Sequence, residues 1–94
     1  MQAEHFEWDD HKAQTNFRDH NVTFEEAMLA FEDPDGIDEI ESSMHYGEER
    51  WKLIGVAEGK VLVVIHTPRE NRTRIISARK AERHEREDYH RQSR

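Results

Sequence analysis

Trp51-Lys52-Leu53-Ile54-Gly55-Val56-Ala57-Glu58-Gly59-Lys60-Val61-Leu62-Val63-Val64-Ile65 carries the period of β-structure. Successive side chains alternate across a strand, so Trp51, Leu53 and Gly55 face one way and Ile54 and Val56 the other. Glu58-Gly59 supplies turn chemistry. Val61 to Ile65 is an unbroken, mostly β-branched run suited to a central strand. Pro68 is expected to end that strand, Arg69 to Arg72 to make a polar connection, and Thr73-Arg74-Ile75-Ile76 to form a further strand. Consecutive runs with short links predict an antiparallel meander.

On the N-terminal side the period is helical. Phe6-Glu7-Trp8 alternates as a short strand or anchoring segment, and Asp9 or Asp10 can cap a helix by accepting from an unpaired backbone N–H. That helix places Ala13, Asn16, Phe17 and His20 on one face, which predicts a buried Phe17 with His20 beside it. Asn21 is suited to the left-handed position that closes it. Thr23-Phe24-Glu25-Glu26 fits a capping box, Val22 and Ala27 a hydrophobic staple, and Phe24, Ala27, Met28 and Phe31 an apolar stripe. Asp33-Pro34-Asp35-Gly36 stops this second helix. Ile37 and Ile40 read as a short edge strand or a loop within an acidic segment, 37–49.

On the C-terminal side, Ser77 is placed to cap a last helix running from Ala78 to about Gln92. Its apolar side is thin (Ala78, Ala81, Tyr89), so it should lie across the sheet, with Tyr89 packed on it. The expected order is β-α-α-(β)-β-β-β-α. The class is α+β, as a single domain over residues 1–94.

Composition narrows the function. Ninety-four residues allow one modest core, and 34% apolar against 37% charged residues leave it little to spare. With no cysteine, disulfides and thiolate zinc sites are excluded. The opening Met-Gln-Ala-Glu-His lacks the pattern of a signal peptide, and Val61 to Ile65 is too short to span a bilayer. A soluble, cytoplasmic protein without a membrane partner is expected. Residues 1–48 hold fourteen acids against two bases (Lys12 and Arg18), a balance of −12, whereas residues 49–94 hold seven acids against twelve bases, a balance of +5. Either the charges segregate by chance, or one side faces a polyanion and the other a different partner.

Glycine-rich phosphate loops, nucleophile elbows and dinucleotide fingerprints are absent, leaving histidines and arginines. No two of the seven histidines share the one-turn spacing of a helical metal site, so no metal or cofactor is expected, and His5, His11, His45 and His90 read as idle. His20 is either a satisfied core residue or an imidazole that moves protons. Arg79, Arg83, Arg86 and His90 recur at helical spacing as one cationic stripe; Arg72 and Arg74 share a strand face, and Arg50 opens the first meander strand. Guanidinium forks match phosphate oxygens, so such a set can hold an RNA backbone. The alternative is a helix laced by acid–base pairs, for which Glu82-Arg86 and Glu87-Arg91 are spaced.

Four blocks, taken in order, resemble the BrnT toxin family. They are Phe6-Glu7-Trp8-Asp9 with Lys12-Ala13 and Asn16; His20-Asn21-Val22-Thr23-Phe24-Glu25-Glu26-Ala27; Glu48-Glu49-Arg50-Trp51 with Ile54-Gly55; and Arg74-Ile75-Ile76-Ser77-Ala78-Arg79-Lys80-Ala81 with Glu85 and Tyr89. The resemblance implies a RelE-like fold, a ribonuclease that blocks translation, and a BrnA-like antitoxin as partner. DNA would be met only indirectly, through that antitoxin. With the physical reading, it nominates His20, Arg50 and Arg79 as catalytic and Lys12, Arg74, Lys80 and Arg83 as RNA-binding, in a metal-independent cleavage. One position departs: Asp19 stands where the family usually has lysine before the histidine. The alternative function is therefore a catalytically weak relative serving as corepressor with a DNA-binding partner.

Overall fold

The computed structural model describes residues 5–41 and 49–92; His45 and Glu48 of the sequence reading lie outside them. Element order is β1 (Phe6–Glu7), α1 (Asp10–His20), α2 (Phe24–Ala30), β2 (Ile37–Ile40), β3 (Trp51–Ala57), β4 (Lys60–Arg69), β5 (Arg72–Lys80) and α3 (Arg83–Gln92). The class is α+β, in the expected order. The sheet runs β1-β5-β4-β3-β2, with β3, β4 and β5 as the antiparallel meander and β2 antiparallel at one edge. At the other edge β1 joins β5 in parallel, through Phe6↔Thr73 and Glu7↔Arg74.

The helix starts form as their sequences dictate. Asp9 accepts from the backbone N–H groups of His11 and Lys12, at 2.8 and 3.1 Å, and Asn21 closes α1 at φ 58°. Thr23 and Glu26 bond each other's backbone N–H groups at 3.0 Å in both directions. Both meander hairpins turn over two residues; Glu58 and Gly59 take positive φ in the first and Glu70 in the second.

Alternation divides the sheet into two faces. Leu53, Ala57, Leu62, Val64, Ile75 and Ala78 pack against Trp8, Val22, Phe24, Ala27 and Ala30, the larger core. Ile54 and Val63 face the other way, toward Ala81 and Tyr89. A bulge sits in β5, where Ile65↔Ser77 is followed by His66↔Ile75 and Ile76 has no partner. The extra residue puts Ile75 and Ala78 on the same face despite their odd spacing.

Three expectations are corrected. Pro68 does not end β4, because it pairs with Thr73. Beyond His66, β4 has lost β3 as a neighbour, so the missing proline N–H breaks no ladder on that side. Ser77 does not cap a helix: β5 continues to Lys80, and α3 begins only at Arg83. Ser77 and Ala78 are held in the ladder by Ile65 and Val64, and Asn16 bonds both backbone groups of Ala78. Phe17 is not buried but 49% exposed, and the core side chain of α1 is Asn16. Helical periodicity identified the face, and edge hydrogen bonding chose the polar residue within it.

Candidate nucleic-acid interface

α3 crosses the smaller core, and among the described residues it covers only part of that sheet face. Cross-strand partners share a face, which sets what is displayed there. Lys52, Ile65 and Ser77 align across the sheet, as do Ile54, Val63 and Arg79; Thr67 aligns with Arg74 and Arg69 with Arg72. Arg50 continues the path of β3 two residues before Lys52, and its carbonyl accepts from Glu41 N–H at 2.8 Å. The Thr67 hydroxyl donates to the Glu49 carbonyl, tying the backbone beside Arg50 to β4. Arg50, Lys52, Arg69, Arg72, Arg74 and Arg79 thus lie on one side of the sheet. Charges distant in sequence meet because the register places them in adjacent rows.

Two acids are paired among them. Glu7 on β1 accepts from Arg74 at 2.7 Å. Glu85 on α3 is only 2% exposed and accepts from both arms of the Arg79 guanidinium, at 2.8 and 2.9 Å. It also meets Lys52 Nζ at 3.0 Å and the Glu82 backbone N–H at 2.7 Å. Arg79 foremost, then the Glu82 N–H and Lys52, hold the Glu85 carboxyl well below the usual carboxylate range against the opposing cost of burial. The same contact raises Arg79, which stays a cation throughout.

The nominated residues divide among several places. Arg50, Arg74 and Arg79 share the open sheet face. His20 and Lys12, both exposed, line a separate cleft of ≈ 410 Å³ at the β5 edge with Asp19, Ile76 and Ser77. Arg18 pairs with Asp19 at 3.1 Å beside it. Lys80 lies on the far side of α3, in a pocket with Lys60, Arg86 and His90 over Val56, Val61 and Ala81. Arg83 is on the outer surface of α3, paired with Glu87 at 3.1 Å. The stripe expected from Arg79 to His90 does not form, because Arg79 belongs to a strand. Within α3, Arg86 donates to the Ala81 carbonyl at 2.8 Å and Arg91 pairs with Asp88 at 2.8 Å.

Lys52, Arg69 and Arg72 are absent from the nominated set. Two-residue spacing from Arg50 marks Lys52 as a face-mate, a signal legible in the sequence. Glu85 has no such signal, since its burial depends on where α3 lands. The same holds for His66, which is 7% exposed, bonds Asp38 through Nε2 at 3.1 Å and sits edge-on to Phe31. Burial pushes the His66 imidazole down, and Asp38 opposes the shift. Tyr89 packs as expected and bonds Asp33, and burial with that contact pushes its phenol up to about 12. Among the described residues Glu82, His84 and Glu85 bring ligand atoms within 4.8 Å of one another. Glu85 is already saturated by its two cations and a backbone donor, so the group is poorly suited to a metal ion.

These shifts predict a two-stage acid response. His66 is depressed in the fold, so the unfolded chain takes up its proton first as pH drops below the ordinary value of 6.5. Stability should therefore begin to fall there. Glu85 and Glu26 are also depressed, the latter by Lys60 and the Thr23 N–H. Their stabilisation is complete above the ordinary glutamate value of 4.5 and lost as pH descends through their folded values. Urea midpoints should decline gently from pH 7 to 5 and steeply below 4.5. A midpoint that is flat or rising on acidification would contradict these assignments.

A family model described as the ribonuclease toxin BrnT of type II toxin–antitoxin systems matches residues 8–85. No curated protein matches the chain. Among the described residues no helix is long and apolar enough to cross a membrane.

Proposed function

The chain belongs to the BrnT family of type II toxin–antitoxin ribonuclease toxins, and on that premise we propose that it cleaves RNA on the open sheet face beside α3. The supporting observation is the convergence of Arg50, Arg74 and Arg79 with Lys52, Arg69 and Arg72 on one side of the sheet. The reaction is attack of the substrate's own 2′-hydroxyl on the adjacent phosphorus. The 5′-oxygen leaves, and a 2′,3′-cyclic phosphate remains. No protein nucleophile is needed.

Such a reaction requires stabilisation of charge on the phosphoryl oxygens and a group that moves protons. Arg50 and Arg79 supply the first, and Arg74 positions the backbone. His20 moves protons from the cleft at the β5 edge, with Lys12 holding the strand there. Lys80 and Arg83 lie away from this face and extend the path along α3. An antitoxin partner silences the protein by covering the cations, which are costly to desolvate unless paired. A BrnA-like antitoxin with an acidic or mixed helix fits that need, and DNA is reached through it.

The test combines expression with cleavage. Produced alone in bacteria, the protein should arrest growth, and purified protein should cut a test RNA in excess EDTA. Arg50→Ala should lower turnover by about 10²–10³, the scale for removing one oxyanion-stabilising donor. Harmless accumulation without cleavage would favour the corepressor role, and loss of cleavage in chelator with rescue by a divalent ion would reject the metal-independent mechanism.

A further inference from the structure

Glu85 is an expensive residue for its location. It is an acid at 2% exposure beneath a helix, where an ionised carboxylate costs several kcal/mol unless fully paired. Attaching α3 does not require it. Tyr89 bonds Asp33 from the same helix and packs with Ile54, Val63 and Ala81 in the smaller core. What Glu85 adds is contact with two cations from separate strands. Lys52 lies on β3 and Arg79 on β5, with β4 between them. Without an acid between them these like charges would repel, and both are long side chains with about 2 kcal/mol of rotamer entropy to lose.

We propose that Glu85 is a positioning residue of the RNA face, its buried carboxylate gripping the Arg79 guanidinium and the Lys52 ammonium as one preformed cation pair. This rests on the ribonuclease reading above. Glu85 is the acid in direct contact with both cations, while Glu82 and Glu41 act on Arg79 only through longer-range attraction. The side chains of Arg79 and Lys52 remain 35% and 23% exposed, so a phosphate can reach them. The carboxylate takes one proton from each arm of the guanidinium and Nη1 also donates to the Lys80 carbonyl at 3.3 Å, leaving Nε–H, the second Nη2 proton and two protons of Lys52 for an anion. Donors held in place before the substrate arrives need no reorganisation as charge develops, so their contribution falls on turnover.

Glu85→Gln preserves shape and removes the charge. In the full chain its kcat on a short RNA should fall roughly tenfold or more, with KM no higher, because an acid has left a cationic face. The Arg79 Nη–H protons that Glu85 accepts should exchange slowly in the parent protein and fast in the variant. Tyr89→Phe serves as comparison, since it loosens α3 without touching the cations and should leave kcat within about twofold. An equal fall in kcat for Tyr89→Phe would overturn the proposal in favour of simple helix docking. Unchanged or increased kcat in folded Glu85→Gln would overturn it as well. If the parent protein cleaves no RNA, the ribonuclease reading fails by itself. The Arg79 Nη–H resonances, followed during titration with inorganic phosphate, then decide: unaltered resonances in Glu85→Gln end the proposal.

Discussion

Asn16→Ala is expected to remove roughly 3–6 kcal/mol of stability, enough to leave much of the population unfolded. Asn16 is buried at 6% exposure, and its amide does three things. Nδ2 donates to the Val22 carbonyl at 3.0 Å and to the Ala78 carbonyl at 2.8 Å, and Oδ1 accepts from Ala78 N–H at 3.1 Å. Val22 and Ala78 are both fully buried, so alanine would leave one donor and two acceptors without partners or water. Each such orphan costs about 1–3 kcal/mol. The pair of bonds to Ala78 extends the sheet by one side chain, docking α1 on the edge of β5 where β1 no longer reaches. Asn16→Asp should also be strongly destabilising, because it keeps the acceptor but turns an anion toward two carbonyls. Urea unfolding checks this, and a loss below about 1 kcal/mol for Asn16→Ala would mean the edge is held by something else.

The second large effect is steric. In β3, a Cβ on Gly55 would stand 2.7 Å from the Ala30 carbonyl oxygen at the end of α2. That atom is backbone and cannot rotate aside, so the helix would have to lift off the sheet over the larger core. Gly55→Ala should cost about 2–3 kcal/mol or somewhat more, the range for overpacking a close contact, and Gly55→Val should prevent folding. Ala30→Gly should fail to rescue Gly55→Ala, since it removes a side chain and leaves the clashing oxygen in place. Rescue by that change would assign the cost to the Ala30 methyl group. Thermal melts of the two single variants and the double variant separate these outcomes.

The proposed interface was partly visible before the structure. Arg50, Arg74 and Arg79 were nominated from sequence, and all three lie on the α3 side of the sheet. Sequence periodicity nevertheless assigns Arg79 to a helix with Arg83 and Arg86, whereas it lies on β5. A serine before an alanine and a charged run is a reasonable helix start. Nothing local reveals that β4 will keep pairing through Val64 and Val63 and hold Ala78 and Arg79 extended. His20 shows the opposite case: its helix and the face shared by Ala13, Asn16, Phe17 and His20 follow from the sequence, yet within that face Asn16 is buried and Phe17 is exposed. Apolar periodicity does not choose a polar residue for the core, because two of the three bonds that hold Asn16 there go to a backbone sixty-two positions away.

The chain by itself determined what short-range physics controls. The Asp9 and Thr23 caps, the left-handed Asn21, the Glu58-Gly59 turn and the alternating strands need only neighbours within a turn or a hairpin. Their order is enough for the α+β class. Tertiary structure alone decided the parallel seating of β1 on β5, the bulge at Ile76, the late start of α3 and the burial of Glu85 between Lys52 and Arg79. Each depends on pairing between segments whose separation in sequence carries no information about their distance in space. The charge of the face is written in the residues, but its geometry exists only once the sheet brings β3, β4 and β5 into register.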